Sequence, residues 1–168
     1  MKNIFFLFVL ILFVSCVNIE KKQIKEIKIL ENALISDTTL VLSVDNANKC
    51  IEKYLAFAEK YPKHNNSPGY LYDAAKVTEG LNKAYDAIKL YGQVEILYPE
   101  SDYAPKALFS KAFLLDEKLN QDVKAEKLYI EFIKKYPDHE LTPSAAQLIE
   151  LLYLSDDELK ERVLNKNS

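Results

Sequence analysis

From residue 45 onward the apolar positions advance in steps of four, three and four. Cys50, Tyr54, Phe57 and Tyr61 form one such series, Ala87, Tyr91, Val94 and Tyr98 a second, and Ala125, Tyr129, Phe132 and Tyr136 a third. Steps of this kind draw a single stripe down an α-helix. Each series stops at a proline: Pro62, Pro99 and Pro137. Proline ends a helix because it pushes the preceding residue out of the helical region and has no N–H to donate. A second proline follows each time, at 68, 105 and 143, and is predicted in or near the first turn of the next helix, where a missing N–H costs little. All 6 prolines thus belong to three copies of one motif, Tyr-Pro-x5-Pro, with the tyrosines 37 and 38 residues apart. A period of this length is the mark of a repeat array.

The pattern predicts helix pairs and no strands. Residues 20–35 carry Ile24, Ile27, Leu30 and Leu34 at helical spacing, and 45–61 follow with Asp45 as the expected cap. Next come 68–80 with 83–98, turning at Gly80, then 102–119 with 121–136, and a helix over 142–153. Ser67 and Thr142 are placed to cap their helices; Ala104 cannot, so Ser101 or Asp102 is expected to do so there. Ser155 and Glu158 form a capping box for a short terminal helix over 155–164, and Leu40–Val44 is expected to be a loop.

The repeats resemble the tetratricopeptide repeat (TPR) family. The consensus second helix has a small residue, an aromatic, a further small or apolar residue and a proline at fixed spacing. Here Ala87, Tyr91, Val94 and Pro99 match it, as do Ala125, Tyr129, Phe132 and Pro137, with Cys50, Tyr54, Phe57 and Pro62 before them. Leu71 and Leu108 stand at the large position of the first helix, and Ala75 and Ala112 at the small one. The longer period and the Tyr-Pro ending are similar to periplasmic TPR proteins, namely the outer-membrane assembly lipoproteins of the BamD type and the cell-division coordinator of the Tol-Pal system. The resemblance implies an all-α, short TPR-like helical-hairpin solenoid of about three repeats, with boundaries near 61–62, 98–99 and 136–137.

The first residues have a different character. Lys2 precedes an unbroken apolar run of 11 residues, Ile4–Val14, followed by Ser15 and Cys16. The run is too short for a membrane-spanning helix and suits a secretory signal. Phe13-Val14-Ser15-Cys16 resembles the lipobox of bacterial lipoproteins, with Phe13 where leucine is usual. The resemblance implies a lipoprotein signal peptide over 1–15, acylation of Cys16, a lipidated tether over 16–19 and a TPR-like helical domain over 20–168. Val17 in place of aspartate favours an outer-membrane lipoprotein facing the periplasm, the inner membrane and the cell surface being the alternatives. Cys50 would be the one cysteine left in the body, so no internal disulfide is expected there.

Composition narrows the function. The chain has 168 residues, 49% hydrophobic and 28% charged, enough to bury a core. A net charge of -3 leaves no basic footprint for nucleic acid. With 3 glycines and 2 histidines there is no phosphate-cradling loop and no nucleophile with a histidine base, so neither an enzyme nor a cofactor is expected. His64 and His139 occupy equivalent loops without a second ligand and are expected to be solvated rather than to bind metal. The tyrosines at 54, 61, 91, 98, 129 and 136 are expected to pack in the core with polar tips at the rim, and Cys50 to be a small buried apolar residue.

Protein–protein interaction remains, with no small-molecule substrate expected. The resemblance implies that the first helix of each pair lines a concave surface. It places Tyr72 and Phe109 there, followed by Lys76 and Phe113, with Lys76, Lys106 and Asp116 giving a bound segment its direction. The expected function is a membrane-anchored TPR adaptor or scaffold for a protein or peptide of the bacterial cell envelope, with outer-membrane protein assembly as one such setting. The alternatives are a structural subunit of another envelope complex without a peptide groove and, more remotely, an enzyme or sugar-binding lipoprotein. A terminal helix over 155–164, or the segment before Asp45, folding over these rings would make them core instead.

Overall fold

A computed structural model describes residues 19–34, 43–154 and 158. The predicted signal peptide, Cys16 and the capping serine expected at 155 lie outside the described residues. Among the described residues the fold is all-α: α1 (19–34), α2 (Val44–Lys60), α3 (Ser67–Gly80), α4 (Ala84–Leu97), α5 (Tyr103–Glu117), α6 (Asp122–Lys135) and α7 (Thr142–Leu151). The chain divides between Leu81 and Asn82 into two compact units. This division falls inside the helix pair expected over 68–98, so α3 belongs to the first unit and α4 to the second.

In the first unit α2 packs on α3. The predicted stripe faces inward: Cys50, Tyr54 and Phe57 are buried, together with Ala47, Leu71, Ala74 and Ala75. Tyr70 stacks on Tyr54, centroids 5.3 Å apart, and meets Phe57 edge-on at 5.0 Å. Helix α1 is held to α2 by buried Ile27 and by carboxylates: Lys53 Nζ donates to Glu26 (3.2 Å) and the Tyr54 hydroxyl to Glu31 (3.0 Å).

In the second unit α4 packs on α5, α5 on α6 and α6 on α7. Leu108, Ala112, Ala125, Tyr129, Phe132 and Ala145 form one fully buried cluster, with Phe109, Leu128, Leu148 and Ile149 against it. Alanines at the crossings let the helix axes approach, and the aromatic rings fill the space on either side.

Helix ends follow the prolines. α2, α4 and α6 each have the motif tyrosine as C-cap, its N–H donating to the carbonyl four residues back: Phe57, Val94 or Phe132. The second prolines sit in the first turns of α3, α5 and α7. The expected caps need correction. Ser43, not Asp45, caps α2, its oxygen accepting from the Asn46 N–H (3.4 Å), while Asp45 lies in the first turn. Neither Ser67 nor Thr142 caps its helix, and no side chain caps α5. Their hydroxyls turn backward. Ser67 Oγ donates to the Tyr61 carbonyl (2.6 Å), Thr142 Oγ1 to that of Tyr136 (2.7 Å), and Ser101 Oγ to that of Tyr98 (2.8 Å). These bonds serve carbonyls that the proline leaves outside the helix, a more pressing need than a solvated N–H.

The histidines also differ from the expectation of solvated loops. Both are half-buried, and both brace a turn. His64 Nδ1 accepts from the Asn66 N–H (3.0 Å) and His139 Nδ1 from that of Leu141 (3.1 Å). Their rings stand edge-on to Phe57 and Phe132 at 5.1 and 5.5 Å. His64 Nε2 also reaches Glu20 on α1 at 3.2 Å.

Two turns the prolines do not punctuate use asparagine. Asn82 and Asn120 adopt φ 59° and 49°, the left-handed region that asparagine tolerates after a helix. Gly80, the expected turn residue, is instead the last residue of α3.

Ala125 has no exposed surface in the second-unit cluster. Ala125→Trp is expected to cost about 1–3 kcal/mol or more through overpacking; thermal melts followed by circular dichroism at the helical band measure it.

Candidate functional site

The six residues expected on a concave face fall in both units, and each set is bound to its own. In the first unit Tyr72 is half-buried on α3, with Lys76 exposed one turn on. In the second unit Lys106, Phe109, Phe113 and Asp116 fall at steps of three, four and three, one stripe of α5.

That stripe serves two purposes. Phe109 leans on α6, with its ring 5.8 Å from Tyr129 and 5.6 Å from Phe132. Asp116 accepts a hydrogen bond from the Tyr129 hydroxyl (3.3 Å). Lys106 Nζ lies 5.6 Å from the centroid of the Tyr103 ring, within cation–π range. Phe113 is half-buried between them. The α5 stripe therefore leaves Lys106, Phe109 and Phe113 partly exposed, while Phe109 and Asp116 also contact α6.

The tyrosine–carboxylate contact recurs. Tyr129 on α6 reaches Asp116 on α5, and Tyr54 on α2 reaches Glu31 on α1. Burial raises the pKa of both phenols, and the adjacent carboxylates raise it further, so both remain protonated donors. Each contact gives a buried hydroxyl its partner at the edge of the core. Tyr136 departs from the expected polar tip at the rim: its hydroxyl is buried and has no hydrogen-bond partner among the described residues.

A second polar link, missed in the sequence, joins α4 to α5. Lys111 Nζ donates to Glu95 Oε1 at 2.8 Å, and both side chains are largely buried. Burial raises the Glu95 pKa, and the Lys111 ammonium pulls it back. The two residues lie 16 positions apart on different helices, so no spacing within one helix marks them. In the first unit burial likewise raises Asp73, partly offset by Lys76. Among the described residues no group of three or more His, Cys, Asp or Glu is arranged to hold a metal ion.

Burial raises the pKa of Asp116, and the Tyr129 hydrogen bond opposes that rise. Between the unfolded and the folded pKa the native state binds more proton. The carboxyl's contribution to stability is thus full below its unfolded pKa and is lost as pH rises through the folded one. The hydrogen bond favours the ionised form, so it matters most at neutral pH. Tyr129→Phe is expected to cost about 0.5–1.5 kcal/mol at pH 7 and less in acid, where Asp116 is protonated; urea melts at both pH values give the difference.

No protein-family model matches the chain, and comparison with curated proteins gives no match either.

Proposed function

We propose that this protein is a membrane-anchored TPR adaptor or scaffold lipoprotein that mediates protein–protein interaction in the bacterial cell envelope, facing the periplasm from the outer membrane. The observation that carries the proposal is the aromatic and charged stripe of α5. Phe113 and Lys106 stand beside a rigid, fully packed core on a hairpin whose register is set by the Tyr-Pro motif. Aromatic side chains held at the surface by a packed scaffold are favoured anchors for a partner, because little conformational entropy is lost on binding. The Cys16 lipobox supports the membrane anchor; no helix among the described residues is long and apolar enough to cross a membrane. Outer-membrane protein assembly is one pathway that such an adaptor would serve.

The packing of Phe109 on Tyr129 and Phe132 favours a second reading, in which the α5 face is chiefly structural and the protein is a subunit of an envelope complex without a peptide groove.

Two measurements test these readings. Metabolic labelling with an alkyne palmitate analogue is expected to mark the wild type and not Cys16→Ala; equal labelling of both removes the anchor. For the groove, Phe113→Ala with Lys106→Glu is expected to keep the helical spectrum and to lower partner recovery about tenfold or more in a crosslinked pull-down from membranes. Phe109 is unsuitable for this purpose, since truncating a ring in contact with the core also lowers stability. Unchanged recovery assigns the protein to the structural reading.

A further inference from the structure

The outward faces of α2, α4 and α6 occupy the same places in the repeat, yet their chemistry differs. On α2 the outward positions are Glu52, Leu55, Ala56 and Glu59. The equivalent positions of α4 are Lys89, Gly92, Gln93 and Ile96, and those of α6 are Lys127, Ile130, Glu131 and Lys134. The two charged positions of the repeat thus hold two glutamates on α2, one lysine on α4 and two lysines on α6.

On α2 and α6 these charges stand apart from the contacts that their neighbouring lysines make. The α2 lysines are engaged within the first unit: Lys49 with Asp45, Lys53 with Glu26, and Lys60 over the Tyr61 ring. On α6, Lys124 donates to Gln121, and Lys135 lies over the Tyr136 ring. Glu52, Glu59, Lys127 and Lys134 are all exposed.

Spacing makes the two faces complementary. Glu52 and Glu59 are seven residues apart, as are Lys127 and Lys134, which places each pair two turns, about 10.5 Å, apart on its helix. Between the charges lie apolar side chains: half-buried Leu55 and exposed Ala56 on α2, exposed Ile130 on α6. A shallow hollow of 390 Å³ runs along this part of α6, lined by Lys127, Ile130, Glu131, Lys134 and Lys135. Glu131 is the one acidic residue in it, a turn before Lys135.

We propose that these faces are the two halves of a self-association contact, with α2 of one molecule docking on α6 of a second copy. Glu52 and Glu59 pair with Lys127 and Lys134, and Leu55 and Ala56 cover Ile130. Matched spacing allows both ion pairs to form at once, with the helices parallel or antiparallel. Each face belongs wholly to one unit, and the contact joins unlike faces, so it is heterologous and can propagate from molecule to molecule. Exposed ion pairs contribute little individually and are screened by salt, so the association is weak, concentration-dependent and salt-sensitive. The contact goes beyond the adaptor function and does not depend on it.

Sedimentation velocity of the full chain in a non-ionic detergent, over a range of concentration and salt, tests it. The wild type is expected to self-associate at low salt and to dissociate as salt is added. Lys127→Glu/Lys134→Glu makes both faces acidic and Glu52→Lys/Glu59→Lys makes both basic, so each variant alone is expected to associate about tenfold more weakly or less. An equimolar mixture of the two is expected to recover association, since each then meets its complement. All four positions are exposed, and circular dichroism checks that the fold is kept. If a reversed variant loses helicity, the glutamine versions replace it, with the same weakening expected for each alone. A wild type that stays monomeric throughout overturns the proposal, as do variants that associate like the wild type, or a mixture that stays apart. Binding to phosphatidylcholine vesicles that requires added phosphatidylglycerol and Lys127 with Lys134, without self-association, would also overturn it and assign the α6 face to a bilayer.

Discussion

The fold depends on what happens to a tyrosine carbonyl when the next residue is proline. At Tyr61, Tyr98 and Tyr136 the helix must stop, and the carbonyl at that position has lost its helical partner. In all three copies a hydroxyl just downstream takes it up, from Ser101 in the loop or from Ser67 or Thr142 at the start of the next helix. The same carbonyls also accept a backbone N–H, from His64, Ser101 and His139. Because the carbonyl is satisfied locally, the chain can reverse within a few residues and start the next helix with its second proline in the first turn. The repeat length is therefore set by the turn as much as by the helices.

Once the turns are set, the core needs little more than alternation of small and aromatic residues. Alanines at 47, 74, 75, 112, 125 and 145 have no exposed surface, and rings at 57, 129 and 132 are equally enclosed. Small residues bring the backbones close and aromatic ones fill what is left, so stability is concentrated in a few interfaces between sequence neighbours. With few interfaces, a short array has little redundancy, and a defect in one is not spread over many others.

Much of this was legible in the sequence because it is periodic. The four-three-four stripe and the prolines placed every helix between 44 and 151 to within a residue or two, and the burial of Cys50, Tyr54, Tyr91 and Tyr129 follows from the same register. What periodicity could not supply was the choice among partners that compete for one group. Ser67 and Thr142 open their helices one residue past the N-cap position, and their hydroxyls serve the stranded carbonyl instead. His64 and His139 looked like loop residues because a lone histidine has no pattern. Their shared distance from the motif tyrosine was the available signal, and it pointed to a common turn rather than to solvent. The Glu95–Lys111 pair joins two helices at a separation unrelated to the repeat. The candidate α5 stripe was legible as a set of positions. That Phe109 also closes the core and that Asp116 holds Tyr129 depends on the neighbouring helix, which a single stripe does not describe.

Cys50 occupies the alanine position of its helix and is the one thiol in residues 17–168. Burial raises its pKa, and the Glu31 charge raises it further, so the thiolate that reacts with alkylating reagents is scarce while the first unit is closed. Reagent can reach this sulfur when α1, α2 and α3 separate, and the second unit carries no cysteine to compete for it. The chain therefore contains a natural clock for one half of itself: the rate at which Cys50 is modified reports how often the first unit opens, independently of the stability of the second.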